Sequence, residues 1–290
     1  MPESRPLAPF NPFFLPVPGD IPSQRFCIHH PAQGGTVKGA VLYIHPFAEE
    51  MNKSRRMAAL QSRALAAAGH TVLQIDLLGC GDSSGDFGDA SWQDWIDDVV
   101  RGAQWLTERV QAPLWLWGLR VGCLLAVEAA RDMSVAPQFV LWAPTPSGKQ
   151  VLQQFLRLKA AGDLASGKAK IVMDGLRADL AQGRAVEIAG YRLSPALAAG
   201  LAESSLEPPV GQGSKGHVAW LELSTRVDAD LSPVASKTLR KWQQSGWPAA
   251  RGQVVPGPAF WQTTEIEDAP ALVAATLAAL KATERAEPAP

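Results

Sequence analysis

The sequence predicts an α/β protein built on a mostly parallel, doubly wound sheet, and three observations carry that prediction. Short apolar, β-prone runs alternate with amphipathic helical stretches along most of the chain. The runs at residues 40–44, 114–117 and 139–142 are continuously apolar, as strands covered on both faces are. The segments after these runs hold the chain's Gly-, Pro- and charge-rich motifs, the edge of an α/β sheet where sites are built.

The composition agrees. The chain has 290 residues, 47% hydrophobic and 19% charged, enough to bury a core and too apolar for wholesale disorder. Lys plus Arg number 27 and Asp plus Glu 28, so the chain-wide positive footprint of a nucleic-acid binder is excluded. No apolar run approaches the ~18 residues of a spanning helix. The first nineteen residues are broken by Pro2, Pro6, Pro9, Pro12, Pro16 and Pro18 and lack a basic-then-apolar secretory pattern, so the expected location is cytoplasmic. Cys27, Cys80 and Cys123 are too few and too scattered for a disulfide framework.

The first clear strand is residues 40–44, after Gly39, opening into His45-Pro46-Phe47-Ala48-Glu49-Glu50. Residues 54–68 read as an Ala- and Leu-rich helix closed by Gly69. A strand at 71–75 runs into a loop through residue 85. Ser91 caps a helix whose Trp92, Trp95, Ile96, Val99, Val100 and Ala103 recur at helical spacing. A strand at 114–117, a Gly-bounded turn, a helix at 123–131 and a strand at 139–142 follow. Between about residues 146 and 216 the rhythm breaks into helices near 151–161 and 168–181, a hairpin at 186–193 around Gly190, and a helix after Ser194-Pro195. So short an insertion buries little core alone, which makes it a helical lid on the main domain. A strand at 217–223, a helix at 233–245, a strand at 253–255 and a helix at 270–282 resume the pattern. The expected organisation is a Pro-rich segment (1–13), a core in two parts (14–146 and 216–282), the lid (147–215) and a frayed tail (283–290).

Trp117-Gly118-Leu119-Arg120-Val121-Gly122 lies between a strand and a helix, the context of the nucleophile elbow Gly-x-Ser-x-Gly. The glycines are needed because the turn is too sharp for a Cβ, and the middle residue is forced to the top of the sheet. Here that residue is Arg120. At this point the chain resembles the α/β-hydrolase superfamily over nearly its whole length. Within it the sequence resembles the exosortase A system-associated hydrolase 2 family. The residues that carry the match are His45 through Arg56, Gly79-Cys80-Gly81-Asp82-Ser83, Gly118-Leu119-Arg120-Val121-Gly122, and Pro256-Gly257-Pro258-Ala259-Phe260-Trp261-Gln262. The resemblance implies an α/β-hydrolase fold with an inserted helical lid in a bacterial protein tied to an exosortase and exopolysaccharide locus. It implies a hydrolase, for which an acyl ester or thioester is the expected substrate class.

In that fold the triad runs Ser, acid, His, with the His after the last strand. The histidines are His29, His30, His45, His70 and His217, and none lies beyond His217. Asp228 and Asp230 stand at the acid position with no His to orient. Two absent triad members argue against acyl-serine chemistry. Arg120 then reads either as a receptor for a carboxylate or phosphate beside a helix N-terminus, or as half of an internal ion pair with Glu49, Glu50 or Glu265. His45 is a relocated base or a loop His with a structural role. Glu49 and Glu50, with Arg55 and Arg56 a turn on, are acid–base candidates or a salt-bridged helix start. The Phe47 and Val121 N–H groups are candidates for an anion hole. Phe47, Phe260 and Trp261 are candidates for an apolar wall, whereas Trp92, Trp95, Trp115, Trp117 and Trp142 fit core positions. Cys123 and Cys80 lack a His at triad spacing, and the Gly79–Gly85 stretch lacks the Lys of a phosphate-cradling loop. No residue cluster has metal-ligand spacing, so neither metal nor cofactor is expected. Three functions remain open: an acyl hydrolase with relocated machinery, a non-catalytic binder of an anionic small molecule or acyl-carrier group, or an assembly partner for other proteins of the locus with the lid as its contact surface.

Overall fold

The computed structural model describes residues 9–19, 22–161, 169–209, 216–226 and 228–284. At its centre the apolar runs form three strands buried at every residue or nearly so: β3 (Gly39–Ile44), β5 (Leu114–Leu119) and β6 (Gln138–Trp142). Preceding them are β1 (Asn11–Val17) and β2 (Ser23–His30); β4 (His70–Ile75) follows β3, and β9 (His217–Ser224) and β10 (Ala249–Pro256) close the sheet. Between β6 and β9 lies a separate two-stranded hairpin of β7 (Val186–Ile188) and β8 (Tyr191–Leu193). The helices are α1 (Glu49–Ala67), α2 (Trp92–Thr107), α3 (Val121–Ala129), α4 (Gly148–Ala161), α5 (Ala169–Ala181), α6 (Pro195–Glu203), α7 (Pro233–Gln244) and α8 (Pro270–Glu284).

The large sheet has the order β1-β2-β4-β3-β5-β6-β9-β10, antiparallel where β2 meets β1 and β4 and parallel elsewhere. The chain leaves β3 toward β4 on one side and returns to β5 on the other. The order therefore reverses between β3 and β5, and a crevice opens beyond their carboxyl ends. Core residues cover both faces of the sheet. Trp92, Trp95, Trp115, Trp117 and Trp142 are all buried, as packing residues are.

Three local differences from the sequence reading have physical reasons. β1 and β2 are strands that the alternation did not reveal. β1 carries Pro12 and Pro16, which suit an edge strand, and it begins ahead of the expected boundary at residue 13/14. β2 mixes polar and charged residues with apolar ones. Helix α1 begins at Glu49, five residues before the expected start at residue 54; Ala48 opens it with no capping side chain to mark the place. Ser54 is interior to the helix, and its hydroxyl donates to the Glu50 carbonyl one turn back (2.6 Å). The expected 1–13 segment and 283–290 tail fall mostly outside the described residues.

The insertion closes on itself through a bridge between Ser147 and Ser205. Its apolar residues Val151, Phe155, Leu156, Ile188, Leu197 and Leu201 belong to the same buried cluster as α2 and α3. No described helix is long and apolar enough to cross a membrane.

His30, 2% exposed at the end of β2, makes the fold sensitive to acid. Gln74 Nε2 donates to its Nε2 (3.3 Å), and burial pushes its pKa down to about 4. An unfolded His titrates near 6.5, so the stability linked to this group is complete above ~6.5 and lost as pH falls toward 4, about 3 kcal/mol in all. Denaturant unfolding between pH 7 and pH 4 is expected to show this loss, and His30→Gln to reduce the slope.

Candidate active site

The turn from β5 into α3 has the sterics of a nucleophile elbow. A Cβ on Gly118 would lie 2.6 Å from Cys123 N, and one on Gly122 would lie 2.2 Å from the carbonyl oxygen of Ile44 in β3. Both positions must be glycine. Arg120 between them has φ 56° and ψ −114°, a backbone state that a side chain rarely adopts, and it is the N-cap of α3. At the end of β3, Ala48 repeats that conformation, φ 51° and ψ −127°, as the N-cap of α1. Two helices thus start side by side at the switch point, neither capped by a side chain. Glu49 and Glu50 occupy the first turn of α1, where the helix dipole favours acids.

These two turns floor a cavity of about 220 Å³ whose roof is α4. Phe47, Glu49, Glu50 and Arg120 come from the sheet edge, and Trp261 and Gln262 come from the segment after β10. Val151, Gln154, Phe155 and Leu158 come from α4. Their i, i+3, i+4, i+7 spacing puts one stripe of the helix over the site. Inside it, Arg120 Nε lies 3.4 Å from Glu50 Oε1, each side chain 19% exposed. The guanidinium carbon lies 5.6 Å from the centroid of the Trp261 ring. Burial lifts the Glu50 carboxyl above its ordinary range, and the Arg120 charge pulls in the other direction. Phe47 packs edge-on against Phe155 (5.0 Å), joining floor to roof.

Of the expected site residues, Arg120, Glu49, Glu50, Phe47 and Trp261 meet here. Of the three acids considered for Arg120, its partner is Glu50. The others lie elsewhere. His45 is buried outside the cavity lining, where its Nε2 accepts from Leu77 N–H (3.3 Å) and its Nδ1–H donates to the Pro46 carbonyl (2.8 Å). Both nitrogens are thereby committed to the neutral ring, and burial lowers its pKa. Arg55 stands five residues beyond Glu50, well around the helix, and its fork holds Asp76 (2.9 and 3.4 Å). Phe260 is 2% exposed and packs against Trp142 and Trp261 rather than lining the cavity. Val121 directly follows Arg120 as the first residue of α3; its side chain is buried, whereas the expectation for it concerned its backbone N–H. Asp228 (φ 57°) and Asp230 are exposed after β9, outside the cavity wall. Cys80 and Cys123 are buried and their thiols are pushed up by burial, the opposite of an activated nucleophile. Among the described residues no group of His, Cys, Asp and Glu could hold a metal ion.

Lys53, Gln154 and Gln262 also line the cavity, and sequence reasoning did not single them out. Lys53 Nζ donates to the Gln262 carbonyl (3.4 Å), tying α1 to the segment after β10. The available signals were Gln154 as a polar residue in the apolar stripe of α4, and Lys53 at i+3 from Glu50.

No protein of curated function matches the chain in sequence. Solved structures match it in fold. A soluble variant of monoglyceride lipase from Saccharomyces cerevisiae, in complex with a substrate analogue, superposes with a TM-score of 0.61 at 12% identity, covering 100% of both chains. Est1E from Butyrivibrio proteoclasticus, with bound ferulic acid, gives 0.59 at 12% identity over 91% of this chain and 95% of that one. A serine hydrolase without a lid from Xanthomonas campestris gives 0.54 at 16% identity over 99% and 100%. Identities this low show the α/β-hydrolase fold and nothing finer. The family model described as serine aminopeptidase, S33, matches residues 35–188, more than half of the chain and including the elbow. On that match and the fold, the chain belongs to the S33 serine aminopeptidase family of α/β hydrolases.

Proposed function

We propose that this hydrolase-fold protein has given up serine chemistry and uses the old active-site cavity to bind an anionic acyl compound through Arg120. The single observation behind this reading is the guanidinium at the apex of an intact elbow, lining the cavity where a nucleophile would stand. Among the described lining residues there is no hydroxyl, thiol or imidazole. The serine route needs a hydroxyl there with an imidazole base within hydrogen-bond reach of it. A guanidinium beside two uncapped helix starts is instead a receptor for carboxylate or phosphate. Phe47, Phe155, Leu158 and Trp261 provide an apolar wall for the rest of an acyl group, with the α4 region as a lid. The resemblance of the His45–Arg56, elbow and 256–262 strings to the exosortase A-associated family supports an acyl or carrier-borne ligand from an exopolysaccharide system, handled in the cytoplasm.

A second reading rests on Glu50, a cavity carboxylate whose pKa burial raises above its ordinary range. It would activate water against a bound ester or thioester while Arg120 steadied the developing oxyanion.

A hydrolysis panel of acyl esters, thioesters and aryl amides, run beside calorimetric titration with hexanoate, tests both. The expected result is no turnover above blank and saturable binding that Arg120→Ala weakens by about 1.5–3 kcal/mol, the worth of a hydrogen bond to a charged group. Turnover that Glu50→Gln abolishes would replace the binding reading with the hydrolytic one. Unchanged affinity in Arg120→Ala would sink the assignment of the anion to that residue.

A further inference from the structure

The contact between Arg120 and Glu50 is a poor use of a guanidinium. Arg offers five N–H donors in a rigid fork suited to two parallel bonds at roughly 2.7–2.9 Å. Here one Nε–H reaches one carboxylate oxygen at 3.4 Å, and among the described residues neither terminal nitrogen of Arg120 has a hydrogen-bond partner. Glu50 is equally underused, because Arg120 is the one described hydrogen-bond partner of its carboxylate. Both groups line the same cavity. Given that Arg120 receives the ligand's anion, as proposed above, we infer that Glu50 is a built-in rival for Arg120, so that an anionic ligand enters the cavity together with a proton.

The charges around Glu50 support the step. Arg120 faces it from the β5–α3 turn, Glu49 and Lys53 from its own helix, and the Tyr43 phenol from β3. The cavity residues contributed by α4 and by the segment after β10 are uncharged. Arg120 and Lys53 are thus what keeps Glu50 ionised against burial and Glu49, and burial already holds its carboxyl above the ordinary range. A ligand carboxylate or sulfonate that engages the fork bidentately withdraws the larger of these cations and adds a second negative charge beside Glu50. Two anions on one partly buried guanidinium raise the weaker acid further, and the carboxylate takes up a proton from solvent. No bond other than that O–H forms.

The probe is hexane-1-sulfonate, whose charge does not titrate, bound to the full chain and followed by calorimetry between about pH 5 and pH 8 in pairs of buffers with different ionisation heats. Between the Glu50 pKa of the free protein and its higher value in the complex, one proton is expected to be taken up per sulfonate bound, with affinity falling by about tenfold per pH unit. Glu50→Gln and Glu50→Ala are expected to bind at least as tightly as the wild type at its most favourable pH, with no proton uptake and a flat profile. A flat wild-type profile, or weaker binding in both variants, overturns the rivalry while leaving anion binding at Arg120 intact. Failure of the wild type and both variants to bind sulfonate or hexanoate at any pH overturns the binding reading and this inference together.

Discussion

Replacing Gly122 with Ala is expected to destabilise the protein by at least about 3 kcal/mol, the upper end of what overpacking costs. Two effects oppose each other at this position. Gly122 is inside α3, and helix propensity alone favours Ala by up to about 1 kcal/mol. A Cβ there would sit 2.2 Å from the Ile44 carbonyl oxygen and 2.8 Å from that of His45. Those atoms belong to the backbone at the end of β3 and cannot rotate aside, so either α3 or β3 must move. The steric term wins. Gly175 in α5 is the control, since nothing lies within 4 Å of a Cβ built there. Gly175→Ala is expected to stabilise by a few tenths to about 1 kcal/mol. Urea unfolding of the two variants checks the opposed signs. A Gly122→Ala protein as stable as the wild type would mean that the elbow and β3 are not held in this register, and the geometry argued for Arg120 would fall with it.

That geometry also shows how far the sequence alone could be read. The pattern of Gly118, Arg120 and Gly122 between an apolar strand and a helix is local, and it placed the guanidinium at the sheet edge. The buried strands were legible because residues 40–44, 114–117 and 139–142 are apolar without alternation. Pairings that join distant segments were not legible. Arg120 had three acids within plausible reach on paper, and the choice of Glu50 depends on α1 beginning at Glu49. That start was hidden because Ala48 reaches it through a strained backbone and lacks a capping side chain. Arg55 looked like a cavity residue by its nearness in sequence, yet its partner Asp76 sits at the end of the neighbouring strand. His45 reads as a base by its position after β3. Only the Leu77 N–H and the Pro46 carbonyl reveal that both its nitrogens are committed.

Arg25 is the second position where a large effect is expected, and it lies in β2, a strand that the sequence does not announce. Its Nε–H donates to Asp98 Oδ2 at 2.6 Å, the two side chains being 5% and 1% exposed, and the same oxygen accepts the Leu78 N–H at 2.8 Å. The pair ties β2 to α2 and to the loop leaving β4. Burial raises the Asp98 carboxyl, with the Arg25 hydrogen bond and charge working against it. Desolvation thus works against the charge that the pairing holds, and breaking the pair is costly because it leaves that charge buried. Arg25→Met is expected to lose about 3–5 kcal/mol, because it leaves a charge buried without its main partner and Arg101 reaches only the other oxygen, at 3.4 Å. Adding Asp98→Asn removes that charge and keeps an oxygen for the Leu78 N–H. The double variant is expected to return to within about 1–2 kcal/mol of the wild type, a coupling that a double-mutant cycle measures directly. The pH dependence has a definite sign. In Arg25→Met the folded pKa of Asp98 stands above its unfolded value, so the penalty is absent below the unfolded pKa and grows as pH rises. The gap between Arg25→Met and wild type should therefore narrow as the solution is acidified. His30 and His45 weaken both proteins alike and cancel in the difference. A deficit that stayed constant with pH, or a double variant no better than the single one, would mean that Arg25 acts through packing of its stem and not through the charge of Asp98.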